Sequence, residues 1–233
     1  MKKILIISLI IILIAIIAIF CTEISNQNKK VIKIAFLGDS ITEYGWDNEN
    51  GYVKQTVEAL KQARLNIEPI PAGVCGDSTR DMLNRLDEDV LDKNPDVVFF
   101  MGGINDVWWN KFSIEEFKNN VETIIDKVKQ KGAKIIIISI TVLTEDLNSA
   151  ENQTIDEYNN CLKEITKQKD VQYIDANTIF KKEIQESNSP ENILTIDGVH
   201  LNDRGNKLLA DIIVKEFLKE KLKNQFFRKF LVI

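Results

Sequence analysis

The sequence predicts an α/β domain in which a parallel sheet is covered by helices on both faces. Two observations carry this. From residue 31 onward, short runs rich in Val, Ile and Phe alternate with amphipathic stretches, the pattern of successive βαβ units. The run 135–138 is apolar at every position, as a strand buried on both faces must be.

Taken in order, 31–37 reads as a buried strand and 51–63 as an amphipathic helix. A strand over 67–70 follows, then a helix starting near Ser78 and a β-rich run at 96–101 centred on Val97, Val98, Phe99 and Phe100. Ser113 opens a helix that reaches about Lys131, with Glu116 three positions on in capping-box spacing. Gly132 ends it. After the strand at 135–138 come a helix over 154–169, a strand over 171–174 and a last helix from Asn202 to about Leu222. On that helix Leu208, Leu209, Ile212, Ile213 and Phe217 share one apolar face.

The 233 residues, 44% of them hydrophobic, suffice for one domain with a full core. The formal charge of −5 argues against a nucleic-acid partner, which would call for a basic patch or stripe. Ahead of the domain, Lys2 and Lys3 precede an apolar run over 4–20. Its length as a helix is roughly 25 Å, a little short of the ~30 Å hydrocarbon core. Residues 1–21 therefore read as a membrane anchor or signal segment and 22–30 as a polar linker. With the charge ahead of the run, the domain at 31–222 is expected outside the cytoplasm. Cleavage near Ala18 and lipid attachment at Cys21 are the alternatives to a retained anchor. Cys75 and Cys161 have neither metal-ligand spacing nor a disulfide framework and read as buried thiols. The tail 223–233 mixes Arg228 with Phe226, Phe227 and Phe230; a membrane-surface contact and a solvated helix end both fit it.

Ligands in parallel α/β sheets sit beyond the carboxyl ends of the strands. Three β-rich runs end there in polar, glycine-containing turns: Gly38-Asp39-Ser40, then Gly73 through Gly76-Asp77-Ser78, then Gly102-Gly103-Ile104-Asn105-Asp106. Asp197-Gly198-Val199-His200 lies just before the last helix. Each alone is ordinary turn chemistry. Together they supply the parts of an acyl-transfer site. Ser40 offers a hydroxyl that needs a base, and His200 is the only histidine in the chain. Asp197 can accept the imidazole N–H and fix its tautomer. Backbone N–H groups of Ser40 and Gly76 and the side-chain amide of Asn105 can receive an oxyanion. Tyr44, Trp46, Trp108 and Trp109 follow these turns; Trp108 and Tyr44 are the candidates for a substrate pocket.

These four blocks, in this order, resemble the GDSL, or SGNH, hydrolase family over 31–222. Ser40 stands in Gly-Asp-Ser-Ile-Thr-x-x-Gly, Asn105 in Gly-x-Asn-Asp and the Asp197/His200 pair in Asp-x-x-His; Ile41 replaces a leucine frequent in the family. The resemblance implies a flavodoxin-like three-layer α/β/α sandwich with five parallel strands in the order 2-1-3-4-5. It also implies no metal or organic cofactor. The expected function is hydrolysis of a carboxylic ester, whether an acetylated glycan, a lysophospholipid or another short-chain acyl ester, through an acyl-enzyme on Ser40. An O-acyltransferase using the same site is the alternative, and a non-catalytic binding module a more distant one. A dinuclear metallophosphatase, with its several histidines, and an α/β-hydrolase, with G-x-S-x-G, do not fit.

Overall fold

The computed structural model describes residues 31–109, 113–187 and 193–230, without the side chains of 221–230. The expected anchor, linker and end of the tail lie outside the described residues. Among the described residues, no helix is long and apolar enough to cross a membrane.

Five parallel strands, β1 (Ile32–Gly38), β2 (Ile67–Gly73), β3 (Val97–Met101), β4 (Lys134–Ile138) and β5 (Gln172–Ile174), form one sheet in the order β2-β1-β3-β4-β5. The helices are α1 (Ser40–Asp47), α2 (Tyr52–Gln62), α3 (Thr79–Asp89), α4 (Ile104–Trp108), α5 (Ile114–Gln130), α6 (Ala150–Lys169), α7 (Ala176–Glu186) and α8 (Asp203–Phe230). Helices α2 and α7 pack with α8, while α3 and α6 pack with α5, giving the two outer layers. The expected sandwich and strand order are both present.

The central strands β3 and β4 are buried almost throughout, which explains their unbroken apolar sequence. Phe99 of β3 stacks on Phe36 of β1, with ring centroids 5.4 Å apart, and meets Phe217 of α8 edge-on at 5.7 Å. The predicted apolar face of α8 does cover the sheet: Leu209, Ile212, Ile213 and Phe217 are buried.

Strand β2, which contains Pro69, runs three residues further than expected, through Pro71 to Gly73. The bonds Ile32 N–H to Asn66 C=O and Val74 N–H to Gly38 C=O set the phase of the ladder, so even-numbered residues of β2 face β1. Both prolines therefore turn their missing N–H to the open edge, where a strand tolerates them.

Two helices begin or end elsewhere than predicted. Ser149, whose side chain accepts from Asn152 N–H, starts α6 at Ala150, one turn earlier. Helix α8 continues to Phe230, since no glycine or proline interrupts 221–230. Helix α7 was not anticipated. Asp175 caps it by accepting from Thr178 N–H, and Ala176, Phe180 and Ile184 form its buried face at helical spacing, a signal present in the sequence.

Candidate active site

The turns after β1, β2 and β3 and the turn before α8 meet at the carboxyl edge of the sheet. Ser40 is the first residue of α1, directly after β1. Asp39 caps the helix by accepting from Ile41 N–H at 3.0 Å, and its carbonyl takes the N–H groups of Thr42 and Glu43. The Ser40 N–H thus belongs to the first helical turn, where backbone donors have no intrahelical acceptor.

Ser40 Oγ lies 2.9 Å from His200 Nε2, across 160 positions of sequence. His200 Nδ1 lies 2.7 Å from Asp197 Oδ2. The other carboxylate oxygen accepts from the Val199 and His200 backbone at 3.0 and 2.8 Å, so the Asp-x-x-His turn is closed by its own aspartate. Burial alone would raise the Asp197 carboxyl; the His200 ring and these N–H groups outweigh it and hold the group below its ordinary value. An ionised aspartate behind the ring is what a histidine needs to take a proton from a hydroxyl.

Gly76 adopts φ +80, and a Cβ placed on it would meet nothing within 4 Å. Glycine is required there by the left-handed backbone more than by crowding. Asn105 Nδ2 donates to the Asp77 carbonyl at 2.9 Å, which moors one amide hydrogen beside Gly76 and leaves the other for a ligand. Ser40, Gly76, Asn105, Asp197 and His200 line one pocket of about 400 Å³, with Trp108, Trp109, Ile104, Leu143, Val199 and Cys75 completing its wall. Every predicted catalytic and oxyanion residue is therefore in one place. Tyr44 is not in that wall, but its ring centroid is 5.1 Å from that of His200. Trp46 instead packs against the core.

The cysteines depart from expectation. Cys75 is exposed and Cys161 half-buried, both as free thiols. The turn that swings Gly76 to positive φ leaves its neighbour on the surface. Asp106 braces its turn: it is buried and accepts from Thr79 N–H at 3.0 Å and Thr79 Oγ1 at 2.6 Å.

The GDSL-like lipase/acylhydrolase family model matches residues 36–208, a stretch that contains all four turns. The chain belongs to this family. It is an esterase. The acetylxylan esterase of Geobacillus stearothermophilus is 26% identical over 205 residues, covering 79% of this esterase and 93% of that enzyme. A solved structure of a catalytic mutant of that enzyme carries alanine in place of a serine. The crystal structure of an acetyl xylan esterase, AlAXEase, superposes with a TM-score of 0.74 at 31% identity, over 79% of this esterase and 99% of that chain. The uncharacterized lipoprotein YqeF of Bacillus subtilis is 32% identical over 120 residues, 48% of this esterase and 49% of that protein.

Two groups that hold the site were not found from sequence. Arg85 ties the turn that carries Gly76 to the strand ends, and Glu145 holds the segment before Asp197. Glu145 acts across about fifty positions of sequence; Arg85 pairs locally with Asp89, but its bonds to the Gly38 and Ala72 carbonyls have no local signature.

Proposed function

We propose that the esterase works by double displacement through an acyl-enzyme on Ser40. The observation that carries this is the continuous chain Ser40 Oγ to His200 Nε2 to Asp197 Oδ2, at 2.9 and 2.7 Å, in the wall of a pocket. Ser40 Oγ bonds to the ester carbonyl carbon while its proton passes to His200 Nε2. The carbonyl oxygen, now negative, is met by the N–H groups of Ser40 and Gly76 and by Asn105 Nδ2. Collapse breaks the bond to the alcohol oxygen, which leaves with the proton held on His200. A water then repeats the sequence on the acyl-serine, giving the acid and restoring Ser40.

The substrate is an ester of a small acyl group, with an O-acetylated glycan first among the candidates. The two acetylxylan esterases support this, as do Trp108 and Trp109 at the mouth of the pocket, more than half exposed. Aromatic faces of that kind suit sugar rings as well as acyl chains. We infer that the site works outside the cytoplasmic membrane. The apolar run at 4–20 behind Lys2 and Lys3 supports that, as does the likeness to a lipoprotein.

The test is fluorophosphonate labelling of the full chain in mild detergent, with hydrolysis of p-nitrophenyl esters from acetate to palmitate. Wild type is expected to label and to prefer acetate, and Ser40→Ala to do neither. Equal labelling of Ser40→Ala would end the reading. Products formed with and without a sugar acceptor separate hydrolysis from acyl transfer to the sugar.

A further inference from the structure

The turn that carries Asp197 and His200 is gripped by the connection between β4 and α6. Glu145, in that connection, turns its carboxylate on three successive backbone N–H groups: Ile193 at 2.7 Å, Leu194 at 2.7 Å and Thr195 at 2.9 Å. It also accepts from the Thr195 hydroxyl at 2.9 Å. One residue earlier, Thr144 N–H donates to the Gly198 carbonyl at 2.7 Å, between the two members of the pair.

The grip is itself anchored. Thr144 stands at φ 84, a conformation that a β-branched residue adopts only where its surroundings force it. Buried Asn152 of α6 supplies that force: its Oδ1 accepts from Leu143 N–H, and its Nδ2 donates to the carbonyls of Thr144 and Asp146. Gly198, opposite, stands at φ 91, and a Cβ on it would come within 3.2 Å of Thr144 Cα. The two backbones are in close contact at that point.

We infer that Glu145 is a positioning residue for the reaction: it sets the Asp197–His200 turn at the distance from Ser40 at which ring and hydroxyl meet. The inference rests on the roles given above to Ser40, His200 and Asp197. Glu145 has no place in the pocket wall and acts only through the residues it holds.

Three observations separate this from a general stabilising contact. First, the Asp197–His200 pair is closed within its own turn, so Glu145 is not needed for it. What remains to be set is the turn's place relative to Ser40. Second, the segment is one body. Ile196 N–H donates to the His200 carbonyl at 2.8 Å and Asn202 N–H to the Leu194 carbonyl at 3.0 Å, so restraint at 193–195 reaches the imidazole. Third, the restraint is ionic. Burial would raise the Glu145 carboxyl, but the N–H groups of Ile193 and Leu194 and the donors of Thr195 prevail and hold it below its ordinary value. Bonds from neutral donors to such an anion are roughly twice as strong as neutral pairs.

The experiment compares Glu145→Gln, Glu145→Ala and Ser40→Ala with wild type, all as full chains in mild detergent. Folded fraction is read by circular dichroism, alongside kcat and KM on p-nitrophenyl acetate and the rate of fluorophosphonate labelling. Glutamine keeps an acceptor oxygen but turns an amide N–H group on the remaining donors. Per folded molecule, kcat and labelling rate are expected to fall together. The fall should be about tenfold for glutamine and approach about 10²-fold for alanine, the scale of a misplacement near 1 Å. KM is expected to stay within about twofold, because the lost contact matters in the transition state. Unchanged kcat and labelling per folded molecule in both variants, or a change confined to KM, would overturn the inference. Absence of labelling in wild type, or labelling of Ser40→Ala, would instead strike the serine mechanism on which it rests.

Discussion

Arg85 Nε lies 2.6 Å from Asp77 Oδ2, and Nη2 of the same guanidinium donates to the carbonyls of Gly38 and Ala72, each at 2.9 Å. One side chain thus fastens the ends of β1 and β2 to the turn that carries Gly76. Both partners are largely buried, the side chains 17% and 12% exposed. Burial raises the Asp77 carboxyl, and Arg85 pulls against it. Arg85→Ala should cost about 3–5 kcal/mol, because it strands a carboxylate without its partner. Arg85→Lys should recover only part, since an ammonium cannot present the planar fork. Urea denaturation of the two variants measures both.

Asn105→Ala should lower kcat by about 10²–10³, the usual consequence of losing one oxyanion donor, with little change in KM. The bond to the Asp77 carbonyl is lost as well, at about 1 kcal/mol. Steady-state kinetics beside a melting curve distinguish the large kinetic effect from the small structural one.

Gly76→Ala tests the backbone alone. The added methyl meets no neighbour, so the cost comes from φ +80, roughly 1–2 kcal/mol for an L-residue in the left-handed region. Relief of that strain turns the residue 76 N–H away from the pocket. The expected result is a fall in kcat/KM of at least about tenfold, with a modest loss of melting temperature. A variant as active as wild type would show that this N–H is not used.

Asp39 is 1% exposed, and burial pushes its carboxyl up to about 7, against the pull of the Ile41 N–H and the His200 charge. In the unfolded chain the same group titrates near ~3.9. The native state therefore holds this proton more tightly. The stability gained is complete below the unfolded value and is lost as pH rises through about 7. Asp39→Asn keeps an acceptor for the helix cap and removes the titration. Its melting temperature, relative to wild type, should rise steadily between pH 4 and 7 and level off above. A difference independent of pH would contradict the assignment.

The residues proposed for catalysis were legible because each sits in a short turn whose composition betrays it: a serine at a strand end, a glycine in a polar turn, an asparagine in Gly-x-Asn-Asp, a histidine three places after an aspartate. Arg85 and Glu145 were not. An arginine inside α3 reads as half of an i,i+4 pair with Asp89, which hides its bonds to the Gly38 and Ala72 carbonyls; a glutamate in a loop gives no sign of partners at 193–195. Strand β2 was expected to stop before Pro71, because a strand's place in the sheet decides whether it tolerates proline. Helix α7 had a legible cap and an apolar face at Ala176, Phe180 and Ile184; its start two residues after the end of β5 hid it.

The prolines of β2 have a consequence beyond their own strand. A parallel sheet ends in two borders of unpaired amide and carbonyl groups that invite a strand from another molecule. Here one border lacks its donors at Pro69 and Pro71, and the other is the three-residue β5. Neither offers a register long enough for a foreign strand to zip against. The sheet itself thus carries a protection against edge-to-edge aggregation.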